Sequence, residues 1–210
     1  MKHSFTKAKR ASTRTKAVVA GGLVALTAAG VGGAAFATFT GTSTAAQSVS
    51  SGTVSLSSIG GGAAGNRLTI GASNIAAGDS IQRSVTMQNT GNIDLASITL
   101  TTAATTSSLL DTDATNGLQM VIDSCATAWT ETGTVAPFTY TCAGGATSVL
   151  TTRAVIGTNI ALSNLNLTAG ATNNLRVTLT LPSGAGNTLQ NQSSVLGYTF
   201  TATQRNGTAK

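Results

Sequence analysis

The reactive inventory of this 210-residue chain is short. It holds one histidine, His3, two cysteines, Cys125 and Cys142, and six carboxylates, Asp79, Asp94, Asp111, Asp113, Asp123 and Glu131. Catalytic zinc takes three protein ligands, usually histidine with a carboxylate or cysteine. No H-E-x-x-H occurs, so a peptidase would have to work from aspartates without a fitted general base. Hydrolysis by a serine nucleophile fares no better. There is no G-x-S-x-G, no histidine after His3, and Lys210 is the only lysine after Lys16. The chain is expected to be non-enzymatic and to carry no cofactor.

One polar cluster remains. Asp111–Thr–Asp113–Ala–Thr–Asn116–Gly117 brings oxygen ligands together ahead of a glycine, as calcium loops do. The spacing is one residue too long for an EF-hand, and Ile122 stands where a bidentate glutamate belongs. Asp and Asn also bond their own backbone in turns and caps. Asp111, Asp113 and Asn116 are therefore a weak calcium candidate, with a turn or helix cap as the stronger reading. Trp129 is a binding anchor if exposed, though packing inside the protein is the plainer expectation for a single Trp between two cysteines.

The charges must be located before they are interpreted. The formal net charge is +6, but Lys2, Lys7, Lys9, Arg10, Arg14 and Lys16 precede any acid. After residue 16, six cations face six anions, so the rest of the chain is neutral. Nucleic-acid binding needs a clustered basic stripe, and the later arginines are scattered singly. The basic start runs into an apolar, glycine-rich stretch ending Ala35–Phe–Ala37. A positive region, an apolar run and small residues at Ala35 and Ala37 make a secretory signal peptide, with a signal helix over 1–37 and cleavage before Thr38. The membrane is then a partner only until cleavage, and the product is secreted. An oxidising compartment favours a disulfide between Cys125 and Cys142.

The elements that position these residues are strands. Charged residues make up 9% of the chain, too few for the surface of a helical bundle. Thr and Ser number 38 and 21, and apolar residues recur with period two between Gly- and Asn-marked turns. Val54 and Leu56, then Ile81, Val85 and Met87, then Ile98 and Leu100 show the alternation. So do Met120 and Ile122, Leu175 to Leu181, and Leu196, Tyr198 and Phe200. Short helical turns are expected at 109–116 and 187–193. Gly170, Gly184 and Gly186 lie between strands and are expected at positive φ. The fold expected is all-β, a two-sheet antiparallel sandwich of jelly-roll or immunoglobulin-like type. Its domain spans 53–210 behind an extended arm over 38–52.

Four segments together resemble the TasA/camelysin family of secreted bacterial matrix proteins. They are Gly30–Val–Gly–Gly–Ala–Ala–Phe–Ala–Thr–Phe39, Ser50–Ser–Gly–Thr–Val–Ser–Leu56, Ala76–Ala–Gly–Asp–Ser–Ile81 with Gln88–Asn–Thr–Gly–Asn–Ile93, and Leu189–Gln–Asn–Gln192 with Tyr198–Gly207. They fall in family order, and the stretch 105–165 does not match. The resemblance implies a signal peptide removed by a dedicated peptidase and a sandwich that polymerises into extracellular fibres. In such fibres the N-terminal strand of one subunit completes the sheet of the next. Here the donor contacts would be Phe39, Val49, Val54 and Leu56. The partner is then another copy of the chain or another matrix component. A monomeric adhesin is the alternative, and a camelysin-like metallopeptidase the remote one.

Overall fold

The computed structural model describes residues 56–57, 64–68 and 74–207. Two compact units divide the chain, Met1–Gln47 and Ser48–Lys210, and every described residue belongs to the second. The expected signal helix, the cleavage residues Ala35, Ala37 and Thr38, and the donor residues Phe39, Val49 and Val54 lie outside the described residues.

The described unit is an all-β sandwich of antiparallel sheets. In chain order the strands are β1 (Leu56–Ser57), β2 (Ser80–Asn89), β3 (Leu95–Thr106), β4 (Gln119–Cys125), β5 (Thr130–Thr132), β6 (Thr139–Thr141), β7 (Thr147–Ala154), β8 (Gly157–Ala161), β9 (Thr172–Thr180) and β10 (Val195–Gln204). One sheet has the order β1-β2-β9-β4-β7 and the other β10-β3-β8, while β5 and β6 form a separate hairpin. The expected helical turns are a four-residue α1 (Leu109–Thr112) and a 3-10 turn at Asn187–Leu189.

Period-two alternation decides which side chains meet between the sheets. Val85 and Met87 of β2, Leu175 and Val177 of β9, and Met120 and Ile122 of β4 supply one inner face. Leu95, Ile98 and Leu100 of β3 and Ile160 of β8 supply the other. The intervening residues of each strand face outward. Leu110, Leu118, Leu181 and Leu189 close one end of this core.

Local chemistry sets the ends of the elements. Ser108 caps α1, its hydroxyl accepting from the Leu110 N–H at 3.1 Å while Asp111 Oδ1 accepts from the Ser108 N–H at 2.7 Å. Before β2 the chain turns at Gly78, whose φ of +94° suits glycine. Gly170 is likewise at +77°, but Gly184 and Gly186 do not share the expected conformation. Gly186 instead precedes the 3-10 turn with a φ of −81°, which any residue adopts.

The strand edges are managed unequally. On the outer edge of β7, the Ser163 N–H donates to Val149 O at 3.1 Å and Asn164 Nδ2 donates to Ser148 O at 2.8 Å. On β2, among the described residues, the C-terminal part is covered on the side away from β9. Leu56 pairs with Asn89 and Ser57 with Gln88, and Asn66 bridges Val85.

Leu100 is fully buried in the middle of β3. Leu100→Ala is expected to cost about 2–5 kcal/mol, the lost transfer energy plus an unfilled cavity. Urea denaturation of the disulfide-intact chain measures this, and a midpoint unchanged from the parent would contradict the placement.

Candidate functional site: an open strand edge and its groove

The first half of β2 carries the site. Along β2 the N–H and C=O groups point alternately to either side of the strand. Ser84 O accepts the Arg67 N–H at 2.9 Å on the side away from β9, so Gln82 presents its backbone groups on that same side. Among the described residues no strand pairs with Ser80–Arg83 there. The Gln82 carbonyl is met by a side chain of its own strand, since Arg83 Nη1 donates to it at 2.7 Å.

Two adjoining cavities, about 870 and 640 Å³, follow this edge and share Asn74, Ile75, Ile81 and Arg83 as lining. The larger reaches between the sheets to Leu179 and Leu181 on one side and Leu196 and Tyr198 of β10 on the other. The smaller is walled by Ala136, Pro137 and Phe138. The groove thus offers backbone hydrogen-bonding groups beside a trough lined by both apolar and polar side chains.

Asp79 lines the smaller cavity, and Arg83 lines both as a charged residue of the inward row. It occupies a position in the Ile81–Val85–Met87 row and is only 5% exposed. Burial lowers its pKa from the ordinary arginine value. Its guanidinium lies 5.4 Å from the centre of the Phe138 ring. Burial also pushes the Tyr198 hydroxyl up to about 12, with the Arg83 charge opposing that shift. The sequence signal for Arg83 is a lone cation in the apolar alternating row Ile81–Arg83–Val85–Met87.

The β5–β6 hairpin fixes the Phe138 wall by lying on the outer face of the five-stranded sheet. The Cys125–Cys142 disulfide joins β4 to the segment following β6. Arg67 donates to both carboxylate oxygens of Glu131, with Nη2 to Oε1 at 2.6 Å and Nε to Oε2 at 3.0 Å. Tyr140 donates its hydroxyl to Glu131 Oε2 at 2.9 Å, and its backbone N–H donates to Gln82 Oε1 at 3.1 Å. Nearby, Arg176 pairs with Asp123 at 2.8 Å and lies 4.5 Å from the centre of the Trp129 ring. Trp129 Nε1 donates to Asn174 O at 3.0 Å. Trp129 is therefore half-buried against a sheet's outer face, neither in the core nor free as an anchor.

The calcium candidates are occupied locally. Burial disfavours charge on Asp111, but hydrogen bonds from Ser194, Ser108 and Ser107 outweigh it and hold the pKa below the ordinary value. Asp113 is held low by the backbone N–H groups of Asn116 and Thr115 and by the Asn116 side chain. Asn116 Nδ2 donates to Asp113 Oδ2 at 3.2 Å, so the amide is spent on the carboxylate. Among the described residues, no group of three His, Cys, Asp or Glu could hold a metal. The expectation that Leu56 belongs to a strand lent to a neighbour meets a specific placement, in which its backbone pairs with Asn89 of its own chain.

A model of the camelysin metallo-endopeptidase family matches residues 13–209, including the 105–165 stretch where the motif resemblance is silent. No curated protein matches the chain.

The Arg67 hydrogen bonds hold the Glu131 pKa below its ordinary value of 4.5. A depressed folded pKa contributes stability that is complete above the unfolded value and disappears as pH falls through the folded one. Glu131→Gln is therefore expected to lower the melting temperature at neutral pH, with the gap to the parent closing below about pH 4. Thermal melts across pH check this, and a gap constant with pH would show that the carboxylate charge contributes nothing.

Proposed function

The chain belongs to the camelysin metallo-endopeptidase family, and from that premise we propose that it is a secreted, non-enzymatic surface or matrix protein that joins copies of itself by strand addition. The observation that carries this reading is the Ser80–Arg83 edge of β2, to which no strand is paired on the side away from β9 among the described residues, beside a groove with Ile75, Ile81 and Phe138 in its lining. A strand laid there gains backbone hydrogen bonds from the edge and places alternate side chains in the trough. The donor is the segment over 38–52, with Phe39 and Val49 as its apolar contacts. Removal of the leader frees that segment to reach a neighbour. The same edge is closed at Gln88–Asn89 by the chain's own β1, so the added strand extends an existing pairing toward Ser80.

The family's description names a metallo-endopeptidase, and the donor set of this chain does not fit that chemistry. Its only histidine, His3, precedes the leader's apolar run, and both cysteines are bridged. Arg67 and Tyr140 engage Glu131, and the aspartates hold turns, caps or an arginine. Apolar contact and backbone pairing suit the groove better than hydrolysis.

A complementation experiment tests strand addition. One variant lacks 38–51 and keeps the β2 edge; the other keeps the arm and carries Ser80→Pro, which removes an edge N–H at the first residue of a strand. The parent is expected to form filaments by electron microscopy, each variant alone to stay monomeric, and their mixture to give discrete dimers. Filaments from the armless variant, or a parent that stays monomeric at high concentration, would overturn the reading. Stoichiometric zinc in the secreted protein would count against the non-enzymatic part.

A further inference from the structure

We propose that the larger cavity binds a straight-chain carboxylate, its acyl chain between the two sheets and its carboxylate held by Arg83 and the Tyr198 hydroxyl. The site is the inter-sheet space within the β2 edge, not the edge itself, and the inference does not rest on the strand-addition reading. The cavity measures about 870 Å³, inside the range of small-molecule sites. Leu179 of β9 and Leu181 just beyond it line one side, and Leu196 of β10 lines the other. Leu110, Leu118 and Leu189 line the end where the core closes. An alkyl chain laid among these side chains is removed from water, which is its main source of affinity.

Charge selects what that chain must carry. Among the described residues, Arg83 is the single ionised side chain lining this cavity, and Asp79 lines only the smaller one. Between two sheets charge is poorly screened, so one positive charge favours a ligand with one negative charge and disfavours a cation. The Tyr198 hydroxyl lines the same cavity and makes no protein hydrogen bond among the described residues. Burial pushes its pKa up to about 12, so it stays protonated and keeps a proton to donate. The Arg83 charge opposes that shift, so the two groups act on each other across the inter-sheet space. Guanidinium N–H and phenol O–H donors both suit a carboxylate, whose charge strengthens the bonds it accepts.

Other ligand classes fit less well. A sugar would set its hydroxyls against the leucines, and an inorganic anion would leave them facing water. A phosphate ester brings a second negative charge that no other cation of the described lining balances. The neutral amides of Asn187, Gln190 and Asn191 add polarity to the lining without adding charge. Arg83 itself points to a use, because an apolar residue at its place in the inward row of β2 would pack without the desolvation of a charge.

The test titrates decanoate, 1-decanol and decyltrimethylammonium, each too dilute to form micelles, into the secreted, disulfide-bonded protein by calorimetry at neutral pH. The parent is expected to bind one decanoate per chain, about ten- to a hundredfold more tightly than either of the others. Arg83→Met is expected to lose that preference and Arg83→Lys to keep much of it, while Tyr198→Phe weakens decanoate about two- to tenfold. If Arg83→Met unfolds, the ranking of the three ligands on the parent decides alone. Equal affinity for decanoate and decanol, or uptake that does not saturate at one per chain, overturns the proposal. So does a preference for decanoate that survives Arg83→Met. Decanoate binding to the variant lacking 38–51 but not to the parent also overturns it, by making the arm the occupant of the cavity. Strand addition is read separately, by filament formation, and can fail while this binding stands.

Discussion

The rest of the structure depends on one constraint, the burial of alternate residues of two sheets against each other. Once Val85, Met87, Leu175 and Val177 face Ile98 and Leu100, every intervening side chain has its direction fixed. The period of two leaves no freedom at the next residue. Gln82 and Ser84 turn outward beneath the hairpin, Thr99 and Thr201 turn outward onto solvent, and Arg83 is forced inward with the apolar row. The groove, the hairpin platform and the outward threonines of β3 and β10 are all consequences of that single geometric commitment. A one-residue slip in β3 would move Leu100 to the surface and bury the threonines, so these features stand or fall with the register.

The sparse charges follow the same logic. Arg67, Arg83 and Arg176 sit on or beside the sheet that carries the hairpin, and Glu131 and Asp123 meet two of them there. Partly buried arginine suits this use because its planar fork satisfies a carboxylate while its face lies on an aromatic ring. Phe138 and Trp129 supply those rings. Concentrating the ions on one sheet leaves the strands of the other free of charge. A cross-linked face and a face whose strands carry no charge then lie on opposite sides of one core.

Much of this was legible in the residues. The alternation in Leu175–Leu181 and in Leu196–Phe200 located β9 and β10, and two cysteines read with an expected export signal pointed to the Cys125–Cys142 bridge that is present. Asp111 is indeed used as a helix cap, because a carboxylate three residues after Ser108 closes a capping box. What the residues could not show is how strands distant in sequence meet. β2 pairs with β9 across more than eighty residues, and no local pattern says which edge then remains open. The hairpin was hidden for a related reason. Thr130–Thr132 and Thr139–Thr141 are too short for periodicity, and tertiary contacts to Arg67 and Gln82 hold them in place.

For the proposed strand addition, the two halves of β2 set how an incoming strand would enter. Its C-terminal half is closed within the chain through Leu56–Ser57 and Asn66, while on that side its N-terminal half carries Arg83's bond to the Gln82 carbonyl and, among the described residues, no paired strand. An incoming strand therefore need not strip away a whole paired strand before gaining anything. It can begin at Ser80–Gln82 and displace one arginine hydrogen bond, beside a groove lined there by Ile75, Ile81 and Phe138. A long unprotected edge would invite pairing with any extended chain. A short edge flanked by the chain's own β1 and by the Phe138 wall restricts entry to a strand of matching length and alternation. Selectivity then comes from the walls, and the driving force from the edge itself.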